Sequence, residues 1–285
     1  MVGIGSTATT RVVAHRGFHE VNGVEENTIP AFRAAVDAGA DRIELDVRRT
    51  KDGVFVVHHD GKLADGRKIR DLNFNELPAL PGGTPIPQLT EVADFARTSG
   101  AHLAVELKER GYERDLALQM AARVPASQLE FISFFRSSLS TIERMDPSMV
   151  TGVLAPKIPG WLGETALMPA AVWLMDKLGW HPTLNTAARI GADYVSVNDR
   201  MATTSLLNSA RERGIHVDVW TINSEERMRE LIDDGASGIV TDRTDLARAL
   251  LPLKAPADDM TAPATAITTG AALLTSPAPA HDTAA

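Results

Sequence analysis

Two carboxylates, Glu44 and Asp46, stand two residues apart in the run Ile43-Glu44-Leu45-Asp46-Val47. Side chains alternate along a strand, so both acids point the same way. Arg42 and Arg48 share their face, and Ile43, Leu45 and Val47 take the other. Buried acids of this kind need a cation or strong partners. The spacing recurs in Val105-Glu106-Leu107-Lys108, which adds a third carboxylate and an ammonium. His15-Arg16-Gly17 closes one apolar run, and His58-His59 closes another. Imidazole moves protons near neutral pH. Guanidinium grips phosphate through paired hydrogen bonds. Three carboxylates without a thiol favour one hard divalent cation, Mg²⁺ or Ca²⁺. Two histidines, a cation, an Arg and a Lys together describe attack on a phosphate ester. One imidazole would deprotonate the nucleophile and the other would protonate the leaving alkoxide. Each piece alone reads as well as a solvated strand face or an ordinary turn. Their convergence carries the reading.

That convergence requires a scaffold. Short apolar runs at Arg11–His15, Arg42–Thr50, Val54–His59, His102–Lys108, Leu129–Phe134, Val150–Ala155, Asp193–Val197, His216–Ile222 and Gly238–Asp242 read as strands. Amphipathic segments between them read as helices, the first at about Thr28–Ala38 and one at Met168–Leu178. Such alternation implies parallel strands with right-handed crossovers. Nine strands are one too many for a closed barrel. Lys51-Asp52-Gly53 resolves this, because Asp-Gly signals a hairpin turn. Val54–His59 then returns antiparallel to its predecessor. The expected fold is an α/β (β/α)8 TIM barrel with a β-hairpin extension after the second strand. A doubly wound sheet competes, but no Gly-x-Gly-x-x-Gly or P-loop sequence favours it. In a barrel the strand C-termini form the functional face. The hairpin would set Glu44 opposite His59 and Asp46 opposite Val57. Trp220 would end the seventh parallel strand, either as a core plug or as a wall for the apolar part of a substrate. Asp242, ending the eighth, reads equally as a helix cap or a site residue.

The 285 residues, 44% hydrophobic and 23% charged, suit one such barrel. A net charge of −8 without a Lys/Arg run argues against nucleic-acid binding. No cysteine is present, which excludes thiolate metal sites, Cys nucleophiles and disulfides. No signal peptide and no transmembrane segment are apparent, so the expected location is the cytoplasm. Expected boundaries are an N-terminal extension over 1–10, the barrel over 11–252 and a disordered Ala/Pro/Thr-rich tail over 253–285. Segment 156–182 holds Trp161, Trp173 and Trp180. It reads as an elongated barrel segment, or as an apolar rim allowing peripheral membrane contact and an acyl chain.

The motifs Ala14–Gly17 (AHRG), Glu26–Thr28 (ENT), Gly39–Asp60, Ile86–Val92, Val105–Lys108, Ile132–Phe134, Val219–Asn223 (VWTIN) and Gly238–Asp242 occur in order over Arg11 to Leu251. Together they resemble the glycerophosphodiester phosphodiesterase family. The resemblance implies a (β/α)8 barrel that hydrolyses a glycerophosphodiester to glycerol 3-phosphate and an alcohol. It implies His15 and His59 as the acid–base pair, and Glu44, Asp46 and Glu106 as holders of the cation. It places Arg16 and Lys108 on phosphate and Trp220 in the substrate pocket. A lysophospholipid substrate, cleaved by a lysophospholipase D-like hydrolase or a cyclising lyase, is an alternative, as is a non-catalytic phosphodiester-binding barrel. After Asp60 the sequence Gly61–Arg67 departs from the family's common Leu-x-Arg-Thr-Thr run, so a substrate-side contact is expected to differ.

Overall fold

A computed structural model describes residues 10–155, 174 and 181–251. Within them β1 (Arg11–His15), β2 (Arg42–Arg49), β4 (Leu103–Leu107), β5 (Leu129–Ser133), β6 (Val150–Leu154), β7 (Tyr194–Asn198), β8 (His216–Trp220) and β9 (Gly238–Thr241) run parallel. Pairing of β1 with β2 closes the eight into a barrel. The remaining strand, β3 (Phe55–Val57), lies antiparallel on β2. This is the expected (β/α)8 barrel with its hairpin extension.

The register of that hairpin corrects the sequence reading by one residue. Val47 faces Val57, and Arg48 faces Val56. The His58 amide donates to the Asp46 carbonyl at 2.9 Å, so His58, not Val57, stands across from Asp46. The strand is also shorter than expected. It stops at Val57, and both histidines lie beyond it.

Around the barrel pack α1 (Ile29–Asp37), α2 (Leu89–Ser99), α3 (Glu113–Ala121), α4 (Arg136–Met145), α5 (Pro182–Ile190), α6 (Thr204–Glu212), α7 (Glu225–Asp233) and α8 (Thr244–Leu250). Caps fix several starts. Thr28, Thr203 and Ser224 each accept a first-turn amide of α1, α6 and α7, a contribution of about 1 kcal/mol per cap. Helix α5 was missed in the sequence. Pro182 sits in its first turn, where its missing amide costs nothing. The expected helix Met168–Leu178 falls, but for Leu174, outside the described residues, as do the three tryptophans of 156–182, the tail and residues 1–9. Among the described residues no helix is long and apolar enough to cross a membrane.

Strand alternation sorts the core. Ile43, Leu45 and Val47 face outward to α1 and α2 and join a buried cluster with Phe32, Leu89 and Phe95. Val195, Val197, Val217, Val219 and Ile239 do the same on the opposite half. Inside the barrel lie an apolar layer of Ala104, Ile132, Leu154 and Tyr194, and beneath it a charged floor. There the Arg42 guanidinium bonds Glu130 and Asp218 and rests over the Tyr194 ring at 5.0 Å. The floor is closed by close approach: a Cβ on Gly152 would lie 2.4 Å from the Tyr194 ring. A smaller lobe between β3 and α2 has its own cluster of Val56, Leu63, Ile69 and Ile86.

Candidate active site

Above the floor, the C-terminal ends of the strands hold a pocket of about 120 Å³. His15, Arg16, Glu44, His59, Glu106, Lys108 and Trp220 all line it. Asp46 lies just behind, 1% exposed. The eight residues singled out in the sequence are thus brought together.

The barrel strands supply the acids. Glu44 and Asp46 face inward from β2, and parallel pairing sets Asp46 beside Glu106 of β4. One oxygen from each of the three lies within 4.8 Å of the others, and among the described residues this is the only such group of potential metal ligands. Burial and mutual repulsion push Glu44 well above the ordinary carboxylate range. Glu106 is pushed up to about 7, chiefly by burial, with Lys108 opposing and Asp46 adding to the rise. Asp46 goes the other way. Burial opposes its charge, but Lys108, Arg16, His59 and an Asn27 hydrogen bond together hold it low. A site that keeps two of three clustered acids reluctant to ionise lacks positive charge. An oxygen-only, buried donor set of this kind fits a hard divalent cation.

Cations already present cover part of the deficit. Lys108 Nζ lies 3.0 Å from Asp46 Oδ1 and 2.9 Å from Glu106 Oε1. Arg16 sends Nη1 to both oxygens of Glu26 at 2.9 Å, and its backbone amide donates to Glu44 Oε2 at 3.1 Å. The backbone of Arg16 is left-handed, with φ 56°. Gly17 follows at φ 87°, and a Cβ there would lie 2.8 Å from Ala31. Only glycine permits both the turn and this approach of β1 to α1.

Three further residues support the site: two that the sequence reading did not place there, and Asp242, which it left open. Asn27, buried and left-handed at φ 57°, donates from Nδ2 to Asp46 Oδ2 at 2.8 Å and accepts from the Asp46 amide at 3.1 Å. Arg48 donates from Nε and Nη2 to the His59 carbonyl at 3.0 and 2.6 Å, and from Nη1 to Glu109 at 2.8 Å. It therefore fixes the backbone that carries His59, which strand pairing does not reach. Asp242 is the third. Its Oδ1 lies 2.7 Å from His15 Nδ1, and Asn223 Nδ2 donates to its Oδ2 at 2.7 Å. His19 Nε2 lies 3.4 Å from the same Oδ1. Burial opposes ionisation of Asp242, but these bonds outweigh it and hold its carboxyl far below the usual range. Of the two readings open for Asp242, its side chain takes the site: α8 begins without a side-chain cap.

His59 Nδ1 pairs with Asp60 Oδ1 at 2.8 Å. Burial, with Lys108 and Arg16 nearby, lowers the His59 pKa and keeps its neutral form available. Trp220 meets Phe134 edge to face at 6.1 Å, forming an apolar wall.

Comparisons with known proteins agree with this geometry. The model of the glycerophosphoryl diester phosphodiesterase family matches residues 15–246. A glycerophosphodiester phosphodiesterase of Caldanaerobacter subterraneus subsp. tengcongensis is 28% identical over 252 residues, covering 82% of this chain and 94% of that one. The crystal structure of such an enzyme from Thermotoga maritima shares 29% identity with a TM-score of 0.64, over 85% of this chain and 98% of the other. An Oleispira antarctica phosphodiesterase, solved with its product sn-glycerol-3-phosphate, has a TM-score of 0.69 at 22% identity, over 85% and 96% of the two chains, and so speaks for the fold. With a family match that runs from the end of the first barrel strand into the last helix, the chain belongs to the glycerophosphoryl diester phosphodiesterase family and is a phosphoric diester hydrolase.

Proposed function

We propose that this enzyme hydrolyses glycerophosphodiesters to glycerol 3-phosphate and an alcohol, with His15 and His59 as its acid–base pair. The observation that carries the reading is one pocket lined by two histidines, Arg16 and Lys108, beside three clustered carboxylates. Glu44, Asp46 and Glu106 are the residues that would hold one divalent cation, Mg²⁺ or Ca²⁺. When bound, the cation draws charge from the phosphoryl oxygens as it builds up. Arg16 and Lys108 orient the phosphate and share that charge. One histidine takes a proton of the attacking water as its oxygen bonds to phosphorus. The bond from phosphorus to the alcohol oxygen breaks, and the other histidine returns a proton to that oxygen. One water is consumed overall. Trp220 and Phe134 wall the carbon side of the substrate.

Release of glycerol 3-phosphate from glycerophosphocholine tests this directly. His15→Ala and His59→Ala should each lower kcat by roughly 10²–10⁴-fold. Unchanged rates would sink the assignment. A cyclic phosphate as final product, or lysophosphatidate from lysophosphatidylcholine as the preferred reaction, would replace it with the lyase or lysophospholipase D reading.

Asn27 supplies a second test. Its two bonds orient Asp46, so Asn27→Ala should weaken cation affinity by about 10–100-fold, as loss of an outer-shell partner does. Titration calorimetry reads the effect. Unaltered affinity would leave Asn27 with only its turn to make.

A further inference from the structure

The protein is acidic overall, yet one concavity beside the active site is basic. A groove of about 470 Å³ opens next to His59, lined by Arg48, Asp60, Gly61, Lys62, Lys68 and Arg70. Glu109 completes it. Its two acids are already engaged: Glu109 pairs with Arg48 at 2.8 Å, and Asp60 pairs with His59 at 2.8 Å. Lys62 and Lys68 form no ion pair with the described residues, and Arg70 reaches only the exposed Asp71, at 3.9 Å. Three cations therefore face the groove with almost no compensation.

Their placement is built into the backbone. Residues 61–69 form a tight hairpin, with the Leu63 amide on the Arg67 carbonyl at 2.8 Å and the Ile69 amide on the Gly61 carbonyl at 3.1 Å. Leu63 and Ile69 anchor it in the apolar cluster of the small lobe. Lys62 and Lys68 are direct antiparallel bridge partners across this hairpin. Like charges set opposite each other are destabilising. A bound anion between them would reverse that repulsion. The neighbouring pocket is compact and the groove is open at the surface, so the glycerol phosphate portion suits the pocket and the variable alcohol portion must extend outward.

We propose that Lys62, Lys68 and Arg70 form a subsite for a second anionic group, a phosphate or carboxylate carried on the alcohol portion of the substrate. The enzyme then selects diesters whose leaving alcohol is itself negatively charged. This rests on the phosphodiesterase reading of the adjoining site. Exposed ion pairs contribute modestly each, so two lysines should give a preference of about five- to ten-fold, expressed in KM and shrinking with added salt.

The test compares glycerophosphoglycerol with the same diester phosphorylated on its terminal hydroxyl. Wild-type enzyme should favour the phosphorylated substrate. Lys62→Ala/Lys68→Ala should remove most of the preference and leave glycerophosphoglycerol turnover unchanged, while Lys62→Arg/Lys68→Arg keeps it. A binding arm uses the His15→Ala protein, with and without the lysine changes, and reads affinity for the phosphorylated diester by calorimetry. If wild type hydrolyses neither diester, the reaction reading fails, and the binding arm still judges the groove. Preference and affinity untouched by the alanine pair would overturn the proposal. So would a pair that loses only its sedimentation with phosphatidylglycerol vesicles, because the cations would then serve a membrane surface.

Discussion

Asp242→Asn should lower kcat by roughly 10²–10⁴-fold while KM and the fold stay near wild type. The expectation follows from donor and acceptor counting. Asn223 cannot turn freely, because its Oδ1 accepts from the Asp242 amide at 3.0 Å and from the Thr241 hydroxyl at 3.1 Å. Its Nδ2 must therefore point at residue 242 as a donor. An asparagine at 242 would answer with its oxygen and turn its own NH₂ toward His15 Nδ1. That forces the proton onto the Nε2 atom of His15, the tautomer opposite to the one a carboxylate selects. The double variant Asp242→Asn/Asn223→Asp restores an acceptor facing the new amide, frees the oxygen of residue 242 for His15, and should recover part of the loss. A structural role alone would not produce that rescue. Full activity in Asp242→Asn, or a change confined to KM, would show that His15 does not depend on Asp242.

Cation binding should strengthen as pH rises from 6 to 8 and stabilise the fold most at the upper end. Glu44 is raised well above its ordinary range and Glu106 to about 7, so the metal-free cluster holds protons that a cation must displace. Each displaced proton makes affinity rise by up to about ten-fold per pH unit below the raised pKa. The sign for stability is the reverse. A carboxyl whose folded pKa lies above its unfolded value contributes stability at low pH and loses that contribution as pH climbs through the folded value. The metal-free protein should therefore lose thermal stability as pH climbs from about 4.5 through 7. A fixed cation concentration, a hundred times the Kd at pH 8, should return about 5–10 °C of Tm at that pH and less at pH 6. Scanning calorimetry with and without EDTA reads both trends. A cation-induced Tm gain that is larger at pH 6, or EDTA-insensitive hydrolysis, would contradict a carboxylate-held metal.

How much of this was legible in sequence depended on how local the signal was. Glu44, Asp46, Glu106 and Lys108 could be read because strand alternation acts over two residues. His15 and Trp220 could be read because strand ends mark the functional face of a barrel. His59 was found through a hairpin register that was off by one. It reaches the pocket because its chain leaves the strand and Arg48 pins the carbonyl, a contact no periodicity encodes. Asp242 and Asn27 act on residues 227 and 19 positions away. Their types were visible, but only closure of the barrel gives them partners. The run Glu26-Asn27-Thr28 offers two side chains able to cap α1, Asn27 and Thr28, and the cap is Thr28. Likewise Pro182 carried no sign of direction, since proline suits both the residue after a break and the first turn of a helix.

The charged floor has a consequence for traffic. Arg42, Tyr194, Glu130 and Asp218 are each at most 7% exposed, and they seal the barrel below the pocket. The vessel is blind-ended. In the proposed reaction substrate, water and both products would then pass through the open end of the barrel, so arrivals and departures form one queue. The fragment seated deepest is the last that can leave, and nothing new can take its place until it does.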